Sequence, residues 1–140
     1  MRTPSEDFES AAFSRWIAAT YPNLKPTHIP NGAYMNIATA KRMERLGVKR
    51  GVPDHMIVDP KDHAVLWIEM KRSNKSLSKV SPEQLEWIAA LGPDAHICYG
   101  FKEAQTKVLE WIDARKSTRK RTSSMGEVAR KTALPGSDAT

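Results

Sequence analysis

Three residues of the segment GVPDHMIVDPKDHAVLWIEMKR, residues 51–72, have types that work together in phosphate chemistry. Asp54 follows a proline, Glu69 lies fifteen positions on (69 − 54), and Lys71 comes two residues later in an apolar run. Charged groups are costly to remove from water, so their place among Leu66, Trp67, Ile68 and Met70 calls for a physical reason. Two carboxylates in a partly dry setting repel, and one takes up a proton unless a cation lies between them. Mg²⁺ suits that position, being a hard cation that prefers oxygen ligands and keeps several waters for phosphate chemistry. A lysine beside it can hold or help deprotonate an attacking water and stabilise charge at phosphorus. The competing reading is a surface hairpin whose Glu69 and Lys71 simply reach solvent. Against it stand the Pro-Asp that opens the preceding strand and the apolar residues on both faces of the second one.

The elements that must position these groups can be read from pattern. Val52 to Val58 and Ala64 to Met70 are rich in Val, Ile, Leu, Met and Trp, and residues 59–63 join them as a short hairpin-type loop. Alternation along the second strand puts Val65, Trp67, Glu69 and Lys71 on one face and Leu66, Ile68 and Met70 on the other. Glu69 and Lys71 then lie roughly 7 Å apart along the strand. Pairing of the two strands brings Asp54 near both. A helix is expected over 5–20, with Ser5 as N-cap and a stripe of Phe13, Trp16, Ile17 and Thr20 that continues backward through Glu9 and Glu6. Tyr21-Pro22 ends it. Thr27 to Ile29 suggests a short strand stopped by a turn at Pro30, Asn31 and Gly32. Further helices are expected over Met35–Leu46 with Gly47 as stop, from Ser81 (N-cap) and Pro82 to Gly92, and from Lys102 to about Ala114. His96 to Tyr99 reads as a buried strand. The order α-β-α-β-β-α-β-α describes an α/β domain with a mixed central sheet flanked by helices.

At 140 residues with 40% hydrophobic content and four tryptophans, the chain fits one folded domain with a real core. A single cysteine, Cys98, excludes an intramolecular disulfide framework and suits a reducing compartment. The start MRTPSEDFES lacks an apolar signal-peptide core, and no apolar run approaches the ~20 residues that cross a bilayer, so a cytoplasmic protein is expected. The net charge of +6 is uneven: residues 115–140 hold seven basic and two acidic residues, hence +5, and residues 1–114 hold fifteen and fourteen, hence +1. The composition of 115–140 predicts a basic, disordered tail behind a domain at 1–114.

GVPD, LWIEMKR and SPEQLEWIAAL together resemble the PD-(D/E)xK nuclease superfamily, most closely its VRR-NUC branch of virus-type replication-repair nucleases. SEDFESAAFSRW, IPNG at 29–32, AKRMERLGVKRGVPD at 40–54 and AHICYGFKEA at 95–104 agree with it, so the likeness runs from residue 5 to about 113 in the family's order. A lone PD…ExK is weak evidence; the linked set is specific. The resemblance implies a restriction-endonuclease-like core and Mg²⁺-dependent hydrolysis of phosphodiester bonds in DNA, with Mn²⁺ able to substitute. It implies that Asp54 and Glu69 bind the metal, that the backbone carbonyl of Met70 adds a ligand, and that Lys71 is the catalytic lysine. Glu6 matches the family's first-helix glutamate, and Gln84 matches the glutamine that orients the lysine or contacts phosphate. Ser10 departs from the family's usual glutamine, which leaves open whether Glu6 or Glu9 completes the site; distance to Trp16 favours Glu6. Stand-alone relatives suggest a homodimeric, structure-specific endonuclease for Holliday junctions or flaps, in a bacterial or phage-infected cell. A non-catalytic DNA-binding accessory protein and a nuclease subunit of a restriction or defence system are the alternatives.

Lys41, Arg42, Arg45, Lys49 and Arg50 stand against the single Glu44 immediately before Asp54. Beside such a site, this cluster is expected to contact DNA phosphates. Asn31 and Gly32 read as plain turn chemistry. His28, His55, His63 and His96 show no metal-ligand spacing and read as ordinary strand or loop residues, although His55 adjoins Asp54. Cys98 and the four tryptophans are expected to serve packing.

Overall fold

The computed structural model describes residues 2–30 and 36–132, with side chains to 127. The turn expected at Asn31 and Gly32, and Met35, lie outside the described residues. The chain divides into two units, Met1–Val108 and Leu109–Thr140. The first holds α1 (Glu6–Thr20), β1 (Lys25–His28), α2 (Ile37–Arg45), β2 (His55–Val58), β3 (Val65–Lys71), a 3-10 turn (Lys75–Leu77), α3 (Pro82–Leu91) and β4 (Ala95–Tyr99). It also holds the start of α4 (Phe101–Thr132). Among the described residues no helix is long and apolar enough to cross a membrane.

The four strands form one mixed sheet in the order β1-β2-β3-β4. β1 and β2 pair antiparallel, as do β2 and β3, whereas β3 and β4 run parallel. A parallel neighbour needs a crossover, and α3 lies in the connection between β3 and β4. The register sets Met56 opposite Trp67 and His55 opposite Ile68, so β3 divides its side chains as its alternation requires. Ile57, Leu66, Ile68 and Met70 are fully buried with Phe13 and Ile17 of α1. The sheet is therefore the α/β, mixed, helix-flanked arrangement that the pattern predicts.

Local chemistry explains the element ends. Ser5 Oγ accepts from Phe8 N–H at 3.1 Å and three acids occupy the first turn of α1, where the helix dipole favours negative charge. Its buried positions Glu9, Phe13 and Ile17 recur every fourth residue. β2 begins at His55 rather than Val52, because Pro53 has no amide hydrogen for a ladder. Asp54 sits in the bend before the strand, with its carbonyl accepting from Ile29 N–H at 2.6 Å. The loop expected at 59–63 is present: Asp59 Oδ1 accepts from Lys61 N–H at 3.0 Å, and His63 takes a left-handed φ of 62°.

α4 continues past Ala114, its expected end, to Thr132. The stretch from 115 carries Arg, Lys, Met, Glu, Val and Ala, most of them good helix formers, and lacks proline up to that point. Its threonines satisfy their hydroxyls along the helix: Thr118 Oγ1 donates to the Ala114 carbonyl at 3.1 Å and Thr122 Oγ1 to the Thr118 carbonyl at 3.0 Å.

Candidate active site

β3 carries Glu69 and Lys71 into a setting where both are only 5% exposed. Lys71 Nζ stands 3.6 Å from Glu69 Oε1. That distance is a charge pair without a tight hydrogen bond, so the lysine is not fully occupied by its neighbour. The bend at Asp54 turns its side chain onto the same strand, where Oδ2 accepts from Met70 N–H at 3.0 Å. Met70 itself keeps its side chain in the core, fully buried, while its backbone serves the polar cluster.

The fourth member comes from α3. Ser81 and Gln84 form a reciprocal N-terminal cap: Ser81 Oγ accepts from Gln84 N–H at 3.2 Å, and Gln84 Oε1 accepts from Ser81 N–H at 2.9 Å. With its oxygen so engaged, Gln84 has its Nε2 left to donate, and it does so to Glu69 Oε1 at 2.6 Å. Asp54, Glu69, Met70, Lys71 and Gln84, the expected core of the site, are thus linked by direct contacts. Glu69 Oε2 is buried and has no hydrogen-bond partner among the described residues. An unmade bond on a buried carboxylate oxygen is costly, of order 1–3 kcal/mol or more for a charged group.

Electrostatics follow from this burial. Loss of solvent is the largest cause that pushes Glu69 up to about 8, and the Asp54 charge adds to it, with Lys71 pulling the other way. Asp54 is likewise raised, first by burial and also by Glu6, while the Met70 N–H, His28 and Lys71 oppose the rise. The pair is the one that a cation between the carboxylates would return to its ionised state. Among the described residues no three His, Cys, Asp or Glu side chains converge as a metal-ligating group.

The two first-helix glutamates part ways. Glu9 is buried, and its Oε2 accepts from Phe101 N–H at 2.6 Å, which puts its charge at the N-terminus of α4. Glu6 is half-buried, and its charge is felt at Asp54. Of the two, Glu6 is the one whose charge acts on Asp54, whereas the Glu9 carboxylate is engaged at the start of α4.

The basic residues divide as well. Lys41, Arg42, Arg45, Lys49 and Arg50 are all exposed. At 3.6 residues per turn, Lys41, Arg42 and Arg45 fall within about 100° of arc on α2. Lys49 and Arg50 lead directly into Gly51, which lies against the backbone of Glu83 and Gln84 in the first turn of α3. They are therefore tied in sequence to a residue that touches the site, whereas among the described residues no such tie is seen for the three on α2.

Two histidines, expected as ordinary strand or loop residues, adjoin this cluster. His55 is buried, hydrogen-bonded through Nε2 with Ser10 Oγ at 3.1 Å and packed edge-on to Phe13. Burial, helped by His28, holds it down at about 4 and hence neutral. Ser10 is thus paired with the histidine at 55. His28 is exposed, with its ring 5.1 Å from that of His55, and its charge acts on Asp54. The signal for both was their place next to Pro-Asp and the preceding strand, visible only once the register is known. Compared with family models, with curated proteins and with solved structures, the chain matches none of them.

Proposed function

We propose that this chain is a divalent-metal-dependent DNA endonuclease of the VRR-NUC kind, acting on branched DNA such as a Holliday junction or a flap, and working as a homodimer. The observation that carries the reading is the unpartnered, buried Oε2 of Glu69 beside Asp54 and Lys71. A buried acidic oxygen on a group that feels a second carboxylate's charge has a use when something positive is shared between them. The donor set fits Mg²⁺ or Mn²⁺: two carboxylates and the Met70 backbone supply hard oxygens, and water completes the shell. Glu6, half-buried at the edge, would act through such a water. When bound, the ion lowers the pKa of a water and offsets charge on phosphate oxygens.

The chain's own groups have separable tasks. Lys71 positions the attacking water and places positive charge beside the phosphate. Gln84 fixes the rotamer of Glu69 through Oε1, which leaves Oε2 free to serve as a ligand. Asp54 is oriented by the Met70 N–H and Glu69 by Gln84, so neither ligand has to reorganise on metal binding. Lys49 and Arg50 would hold backbone phosphates next to the site. A second copy would present a second site to the opposite strand.

The test is a panel of labelled four-way junctions, flaps, duplexes and single strands incubated with Mg²⁺ and the wild type, Asp54→Ala or Lys71→Ala. Metal-dependent cleavage by the wild type and its loss in both variants are expected. Tight DNA binding without metal binding or cleavage would instead establish the non-catalytic accessory protein.

A further inference from the structure

Gly51 has φ +91°, and a β-carbon built on it would lie 2.5 Å from the Glu83 carbonyl carbon, 2.7 Å from its oxygen and 2.8 Å from Gln84 N. Those are backbone atoms of the first turn of α3, which no side-chain rotation can move away. Gln84 is the residue of that turn whose Nε2 reaches Glu69 Oε1 at 2.6 Å. Relieving the collision needs a shift of about 1 Å, enough to stretch that bond to roughly 3.6 Å, where it no longer exists. We propose that Gly51 is a positioning residue for the acidic site: its bare α-carbon lets the turn of α3 settle close enough for Gln84 to hold Glu69. The contact is a relay through packing, and the glycine touches no reacting group. Its functional meaning rests on the nuclease reading, but the contact and its effect on Gln84 do not.

The chain supplies its own control. Gly47 has φ +94° and nothing within 4 Å of the corresponding β-carbon. Gly47→Ala therefore introduces a comparable backbone strain without the collision. The experiment compares full-length wild type, Gly51→Ala, Gly47→Ala, Gln84→Ala and the Gly51→Ala/Gln84→Ala double variant. The first readout is the Gln84 side-chain amide resonance by NMR in metal-free protein. It should move toward its free position in Gly51→Ala and stay in place in Gly47→Ala. An unmoved resonance in Gly51→Ala overturns the proposal.

The second readout is Mn²⁺ affinity by titration. Loss of a group that orients a ligand weakens metal binding by about 10–100-fold. Gly51→Ala and Gln84→Ala should each show that loss, and the double variant should be no worse than Gln84→Ala alone. Losses that multiply in the double variant would mean that Gly51 acts by another route and would overturn the relay. If Gly51→Ala does not fold, the wild type still decides: a nuclear Overhauser contact between the Gly51 α-protons and the Gln84 amide proton is expected, and its absence sinks the idea. A wild type that binds no Mn²⁺ would refute the nuclease reading while the resonance test of Gly51 stands.

Discussion

Gln84 Nε2 donates to Glu69 Oε1 at 2.6 Å, the same oxygen that Lys71 Nζ approaches to 3.6 Å. One carboxylate oxygen is thus approached by two nitrogens, and the other accepts no hydrogen bond among the described residues. The asymmetry gives Glu69 a fixed direction, and several expectations depend on it.

The amide ends of Gln84 can be separated by mutation. Gln84→Ala removes both the cap of Ser81 N–H and the donor to Glu69, and should cost about 1–2 kcal/mol in urea unfolding. Gln84→Glu keeps an acceptor for Ser81 but sets a carboxylate against Glu69. Its stability should be near wild type at pH 5 and fall further than wild type at pH 8. Identical unfolding curves for the two variants at both pH values would contradict the assignment.

Glu69 makes the metal-free protein sensitive to base. Its folded pKa, about 8, is raised above the ordinary 4.5, so between these values the native state binds the extra proton. Stability from this group is present below pH 4.5 and lost as pH rises through 8. His55 works in the other direction, its pKa lowered from 6.5 to about 4, so its effect is complete above pH 6.5. The window from 6.5 to 8 is therefore free of His55, and Asp54, which is also raised, changes stability in the same sense as Glu69. Metal-free wild type should lose stability across it, by more than about 1 kcal/mol, since each tenfold change in proton affinity is worth about 1.4 kcal/mol. Glu69→Gln should flatten that slope in thermal melts, and a rising curve in either protein would reverse the expected sign.

Glu6 and Glu9 should fail differently. Glu9→Gln weakens a charge-assisted bond to Phe101 N–H and should lower stability by about 1 kcal/mol. Glu6→Gln should leave the melting temperature unchanged and reduce Mg²⁺-dependent cleavage. The opposite pattern, measured by calorimetry and the junction assay, would exchange their roles.

Phosphate contact by the exposed basic residues can be read from salt. If Lys49 and Arg50 each neutralise one phosphate, the slope of log affinity against log salt should shrink by about 1 for each alanine substitution. Lys41, Arg42 and Arg45 share one arc of α2, and substitution there tests whether that helix also faces DNA. Slopes unchanged in every variant would remove this surface from the interface.

Local signals made much of this fold legible. Ser5, Ser81 with Pro82, and the Tyr21-Pro22 stop mark helix ends that the structure reproduces. The alternation in LWIEMK predicts which residues of β3 share a face, and Asp54 meets that strand as the Pro-Asp spacing requires. What stayed hidden depends on distant partners. Glu9 finds Phe101 92 positions away, and no local pattern distinguishes it from Glu6. The close approach of Gly51 to α3 exists only in three dimensions. The length of α4 is not legible in composition, because Thr118 and Thr122 return their hydroxyls to their own helix.

β1 lies at one margin of the sheet, exposed along Lys25–His28 and paired through Pro26 with Ile57. A margin strand is a template on which another chain can stack, and a proline there withholds an amide hydrogen while the adjacent lysine adds charge. Lys25 and Pro26 thus act as a guard against aggregation beside the strand that Asp54 leads into. Pro26→Val should leave the monomer folded yet increase light scattering at high concentration, a liability to remember when this protein is concentrated for study.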